Sequence, residues 1–64
     1  MNSIITSWEH KGYVLQQSSI NNHYMIFDGN TGKVVMHSQY GEKLTEEEAK
    51  KRIDDYIQMS EEMK

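Results

Sequence analysis

The chain has 64 residues, 36% of them hydrophobic and 27% charged, so it makes at most one small domain. A fold of this size buries only about 60% of the surface that its unfolded chain exposes, which leaves little room for a deep catalytic cleft. The lack of cysteine excludes disulfides and thiolate zinc sites, and the apolar runs are far too short for a membrane span.

Leu, Ile, Val and Phe number only 12, a share typical of disordered chains, but such chains also carry a high net charge and this one carries −3, so a folded domain is expected. Met1-Asn2-Ser3 has neither the basic start nor the apolar stretch of a signal peptide, and a cytoplasmic location is the expectation.

Taken in chain order, the first part is rich in Ile, Val, Tyr, Trp and Phe, which suit a pleated surface, and is broken by Gly, Asn and Ser. It predicts a strand over 4–8, a turn at Glu9-His10-Lys11-Gly12, and a second strand over 13–17. A polar connector over 18–22 leads to a third strand over 23–27. The loop 28–32 follows, then a fourth strand over 33–37. Asp28 can hydrogen-bond the backbone of that loop, and Gly32 can take the positive φ with which a short loop rejoins its strand.

Residues 45–62 predict a helix. Thr45 and Glu48 form a capping box, Glu46, Glu47 and Glu48 suit the positive helix start, and Leu44 and Ala49 stand at staple positions. Ala49, Ile53, Tyr56, Ile57, Ser60 and Met63 share one side at helical spacing, which assigns that stripe to the sheet. On the other side Glu46–Lys50, Glu47–Lys51 and Glu48–Arg52 are spaced as ion pairs. The fold class follows as α+β: one domain over 1–64, with an antiparallel meander of three or four strands within 4–38 packed on one C-terminal helix.

The motifs that hint at chemistry each lack a part. Asn30-Thr31-Gly32-Lys33 resembles a phosphate loop, but Phe27 and Val34 stand where a glycine and a hydroxyl are required. Asp28-Gly29-Asn30-Thr31-Gly32 opens like a calcium loop, yet Lys33 takes the glycine position and Gln39 the bidentate carboxylate position. His23 and His37 would face each other across a hairpin closed around 29–31, but two ligands are too few for a metal site, and His10 is the sole further histidine. No serine sits in a Gly-X-Ser-X-Gly elbow, and Asp54 and Asp55 lie beside basic partners that keep them ionised. No catalytic, cofactor or metal residue is therefore assigned, and the chain is expected not to be an enzyme.

Nucleic acid requires a basic stripe, whereas Lys50-Lys51-Arg52 is the only basic cluster and is flanked by carboxylates. Residues 45–64 carry four basic and seven acidic side chains, which leaves nucleic-acid binding or mimicry as an alternative to protein binding.

The run Tyr24-Met25-Ile26-Phe27 is apolar at every position, so one of the pairs Tyr24/Ile26 and Met25/Phe27 faces the helix and the other faces away. Val34-Val35-Met36 repeats this on the neighbouring strand, with Val35 expected to point opposite to Val34 and Met36. A lone helix covers one face only. That leaves the second face to the first strand folded over it, to another protein or to a second copy forming a homodimer, and Tyr24, Met25, Phe27, Val35 and Met36 are the candidate protein-binding residues.

Trp8-Glu9-His10-Lys11-Gly12-Tyr13, Asn22-His23-Tyr24-Met25-Ile26-Phe27, Gly32-Lys33-Val34-Val35 and Leu44-Thr45-Glu46-Glu47-Glu48-Ala49 resemble segments of small uncharacterised proteins of phages and mobile elements in Gram-positive bacteria. The resemblance spans residues 8 to 57. It implies a compact accessory protein of a class that acts by binding, some members of which block host defence machinery, and it carries over no catalytic residue.

Overall fold

The computed structural model describes residues 4–38 and 41–62, and these form an α+β fold. Four strands, β1 (Ile5–His10), β2 (Tyr13–Ser18), β3 (Tyr24–Asp28) and β4 (Val34–Ser38), make an antiparallel meander in the order β1-β2-β3-β4, and one helix, α1 (Glu46–Glu62), packs on one side of it. Each strand pair follows the expected order along the chain, but the turns fall one or two residues later than the sequence suggests.

At the first turn β1 runs on through Glu9 and His10, so that only Lys11 and Gly12 connect it to β2. Both have positive φ, 53° and 83°, the type I′ geometry whose twist matches a two-residue hairpin. A left-handed lysine is uncommon, and here its ammonium reaches Asp54 of α1 at 3.0 Å.

In the second hairpin the Asp28 carboxylate accepts from the N–H of Asn30 and Thr31, and Gly32, at φ 75°, donates to the Asp28 carbonyl. Asp28 N–H closes the loop on Lys33 C=O. The loop thus has one more residue than a closure around 29–31 would give, and a β-bulge between Ile26 and Phe27 adds another, so Ile26 pairs with Met36 while Phe27 pairs with Val34. Val35 is the extra residue. This corrects the expected alternation: Val34 and Met36 lie on opposite sides, and Val35 and Met36 both pack on the helix side.

The helix begins where its capping box places it. Thr45 N–H donates to Glu48 Oε1 at 3.0 Å, and Glu48 N–H donates to Thr45 Oγ1 at 3.2 Å. Leu44, Ala49 and Ile53 join Leu15 and Ile26 as the buried core, with Tyr56, Ile57, Trp8 and Tyr13 packed around them. Tyr13 and Tyr56 meet edge to face at 5.5 Å. Met63 lies outside the described residues. Of the expected ion pairs, Glu46–Lys50 forms at 3.1 Å; Lys51 instead pairs with Asp55 at 3.3 Å, and the Glu48 carboxylate is taken up by the cap.

One buried polar side chain organises the connection into α1. Gln17, 4% exposed at the end of β2, donates through Nε2 to the carbonyls of Asn22 and Glu42 and accepts at Oε1 from Leu44 N–H. No helix among the described residues is long and apolar enough to cross a membrane.

Candidate functional site

Alternation along the strands decides which side chains α1 covers. Trp8, Leu15 and Ile26 are directly paired across β1, β2 and β3 and belong to the core, so their neighbours in sequence point the other way. Two rows result on the face turned from the helix: Glu9, Val14, Phe27 and Val34 in one, and Ser7, Gln16, Met25 and His37 in the other. No described element lies over them. Val14, Met25 and Phe27 shelter one another to half-burial, and Val34 is 45% exposed.

The five candidate binding residues divide between the two sides. Met25 and Phe27 stand on the open face, whereas Tyr24, Val35 and Met36 pack against the core from the helix side. Because α1 lies chiefly over β1 and β2, Tyr24, Val35 and Met36 are only partly covered. Val14 and Val34, which belong to the open face, were not among the candidates. Their place follows from register: Val14 precedes Leu15, and only the bulge sets Val34 beside Phe27.

A shallow groove of about 290 Å³ crosses the open face between Ile5, Gln16, Ser18, Met25, His23 and His37. The two histidines share this groove but are not directly paired, since the loop and bulge together shift the register by two residues and bring His37 opposite Met25. His10 is on the helix side of β1, with Nε2 at 2.9 Å from Asp54 Oδ1, so the three histidines do not converge. Among the described residues no three His, Asp or Glu side chains gather as metal ligands.

Asp54 receives both Lys11 and His10 on one oxygen. The Lys11 ammonium, and after it the His10 ring, hold its carboxyl below the usual aspartate range. Glu48 is likewise lowered, by the Thr45 N–H first and the Thr45 hydroxyl second. Both groups are anchors of the fold. A smaller cavity of about 170 Å³ on the helix side, between Trp8, Gln17, Ser18, Asn22, Lys43 and Leu44, is below the size of ordinary ligand pockets.

Comparison with protein-family models, with curated proteins and with solved structures finds no match to this chain.

Proposed function

We propose that the chain is a non-catalytic protein-binding module that docks through the sheet face turned from α1, and that it works as an accessory protein occupying, and so inhibiting, a protein of a host cell. The observation that carries the binding reading is the pair of adjacent rows holding Val14, Phe27, Val34 and Met25 on a face that no described element covers. Apolar side chains aligned across three strands, with Glu9, Gln16 and His37 among them, offer the apolar centre and polar surround of an interface. The biological setting is supported by the resemblance to phage and mobile-element accessory proteins.

Site-specific photocrosslinking tests the docking face. A benzoylphenylalanine at Phe27 or Met25 should capture a partner in cells, the same group at Arg52 on the exposed side of α1 should not, and Phe27→Glu should abolish binding of the purified partner. Equal capture from Arg52 would refute the assignment.

A further inference from the structure

We propose that a second copy of this chain pairs antiparallel along β1, through the outward-facing main chain of Ser7 and Glu9, and so joins two four-stranded sheets into one. The two edges of the sheet differ. β4 is interrupted by the bulge at Val35, a feature that discourages further pairing, whereas β1 pairs with β2 without a break over all six residues.

The hydrogen-bonding direction of each β1 residue follows from the turn. His10 and Tyr13 flank a two-residue turn and form its closing bonded pair, so His10, Trp8 and Thr6 direct their main chain toward β2. Ser7 and Glu9 direct theirs outward, where no main-chain partner exists among the described residues.

A two-fold axis beside Trp8 matches these groups to themselves. Ser7 of one copy exchanges both main-chain bonds with the partner's Glu9, and Glu9 with the partner's Ser7, which makes four bonds in all. The side chains agree with this register. On the open face each Glu9 carboxylate comes to lie beside a Ser7 hydroxyl and not beside the other Glu9, and on the helix side the half-buried Trp8 meets its own copy in a close, non-hydrogen-bonded pair.

The pairing also changes what the open face can do, a consequence that rests on the docking reading above. Four strands about 4.8 Å apart and roughly five residues long outline about 320 Å². A standard interface takes about 800 Å² from each partner, so one copy alone falls well short. Edge pairing sets two open faces side by side on the same surface and roughly doubles the area presented.

Sedimentation equilibrium of the full chain from micromolar to millimolar concentration tests the proposal, with the emission of Trp8, the only tryptophan, as a second signal of association. A dimer is expected. Ser7→Pro removes an outward N–H that the fold itself does not use, and should weaken association roughly thirtyfold by deleting two of the four bonds. In the unmodified protein, hydrogen exchange at the Ser7 and Glu9 amides should slow as concentration rises, a readout that survives if Ser7→Pro fails to fold. Phe27→Glu should abolish docking of the other protein while leaving the dimer intact. A monomer at millimolar concentration, amide exchange independent of concentration, or a dimer lost in Phe27→Glu and kept in Ser7→Pro would overturn the edge pairing without touching the docking face.

Discussion

Gln17→Leu is expected to be among the most damaging conservative-volume changes in this chain. The amide lies 4% exposed and holds three main-chain groups from two separate segments: Asn22 C=O at 2.9 Å, Glu42 C=O at 2.6 Å and Leu44 N–H at 3.0 Å. Leucine fills the space and makes none of these bonds. At about 1 kcal/mol net for each bond, with an added cost for polar groups left buried and unpaired, the loss is roughly 3–5 kcal/mol. A domain of this length has only about 3–10 kcal/mol in total, so roughly a third of its stability or more is at stake. Each 1 kcal/mol shifts the melting midpoint of so small a domain by about 4–8 °C, which predicts a fall of at least about 12 °C by circular dichroism.

Gln17→Glu separates the hydrogen-bond argument from packing. Its carboxylate would face the two carbonyls that the Nε2 group now satisfies, which raises its folded pKa above the unfolded value near 4.3. The variant should approach the parent below that pH and lose stability as pH rises through the folded value. A midpoint moved by less than about 4 °C in Gln17→Leu, or a pH-independent deficit in Gln17→Glu, would refute the reasoning.

Other perturbations test separate parts of the fold. Ile53→Ala should cost about 2–4 kcal/mol in urea denaturation, by opening a cavity where Ile53 meets Leu15 and Ile26, while Met59→Ala on the exposed side should stay within about 0.5 kcal/mol. Thr45→Ala removes one arm of the capping box and should cost about 1 kcal/mol by the same measurement. The lowered carboxyls of Asp54 and Glu48 contribute stability that is present above their unfolded pKa values near 4 and is lost as pH falls through the folded values; Asp54→Asn should therefore show a shallower decline of midpoint on acidification. Gel shifts at low salt should show no tight, steeply salt-dependent binding of DNA or RNA, since Lys50 and Lys51 are engaged by Glu46 and Asp55.

The helix was legible in the sequence because its signals are local. The capping box, the staple and the stripe of Ala49 and Ile53 all act within a few turns, and each acts as its spacing suggests. Strand existence was legible for the same reason, through Gly, Asn and Asp between apolar runs. Register was not, because it depends on single residues whose geometry composition does not declare. Lys11 at positive φ tightens the first turn by two residues, and the bulge at Val35 reverses the relation of Val34 to its neighbours. The candidate site divides for that reason: regular alternation would set Val35 and Met36 on opposite sides, whereas both lie on the helix side with Tyr24, and only Met25 and Phe27 stand on the open face. Gln17 was missed because a polar residue at a strand end reads as solvent-facing, and its three partners lie up to 27 residues away.

The bulge has a physical logic that connects the helix to the open face. Four strands spaced about 4.8 Å apart span roughly 19 Å, whereas a helix with its side chains is about 10 Å across, so α1 can seat over only part of the sheet. It lies chiefly over β1 and β2, where Trp8, Tyr13 and Leu15 meet Ile53, Tyr56 and Ile57. Over β3 and β4 the chain has no second helix to spend among the described residues. Turning Val35 and Met36 to the same side thickens that wall with two side chains where regular alternation would provide one. The bulge also disrupts the β4 edge, which leaves β1 as the continuous edge of the sheet. A single inserted residue thus shores up the thinly covered half of the core and directs any strand pairing to the opposite edge. What it cannot do is cover Val14, Met25, Phe27 and Val34, which lie behind the sheet; their apolar surface is either tolerated in water or covered by another chain, and their alignment in adjacent rows across three strands favours the second.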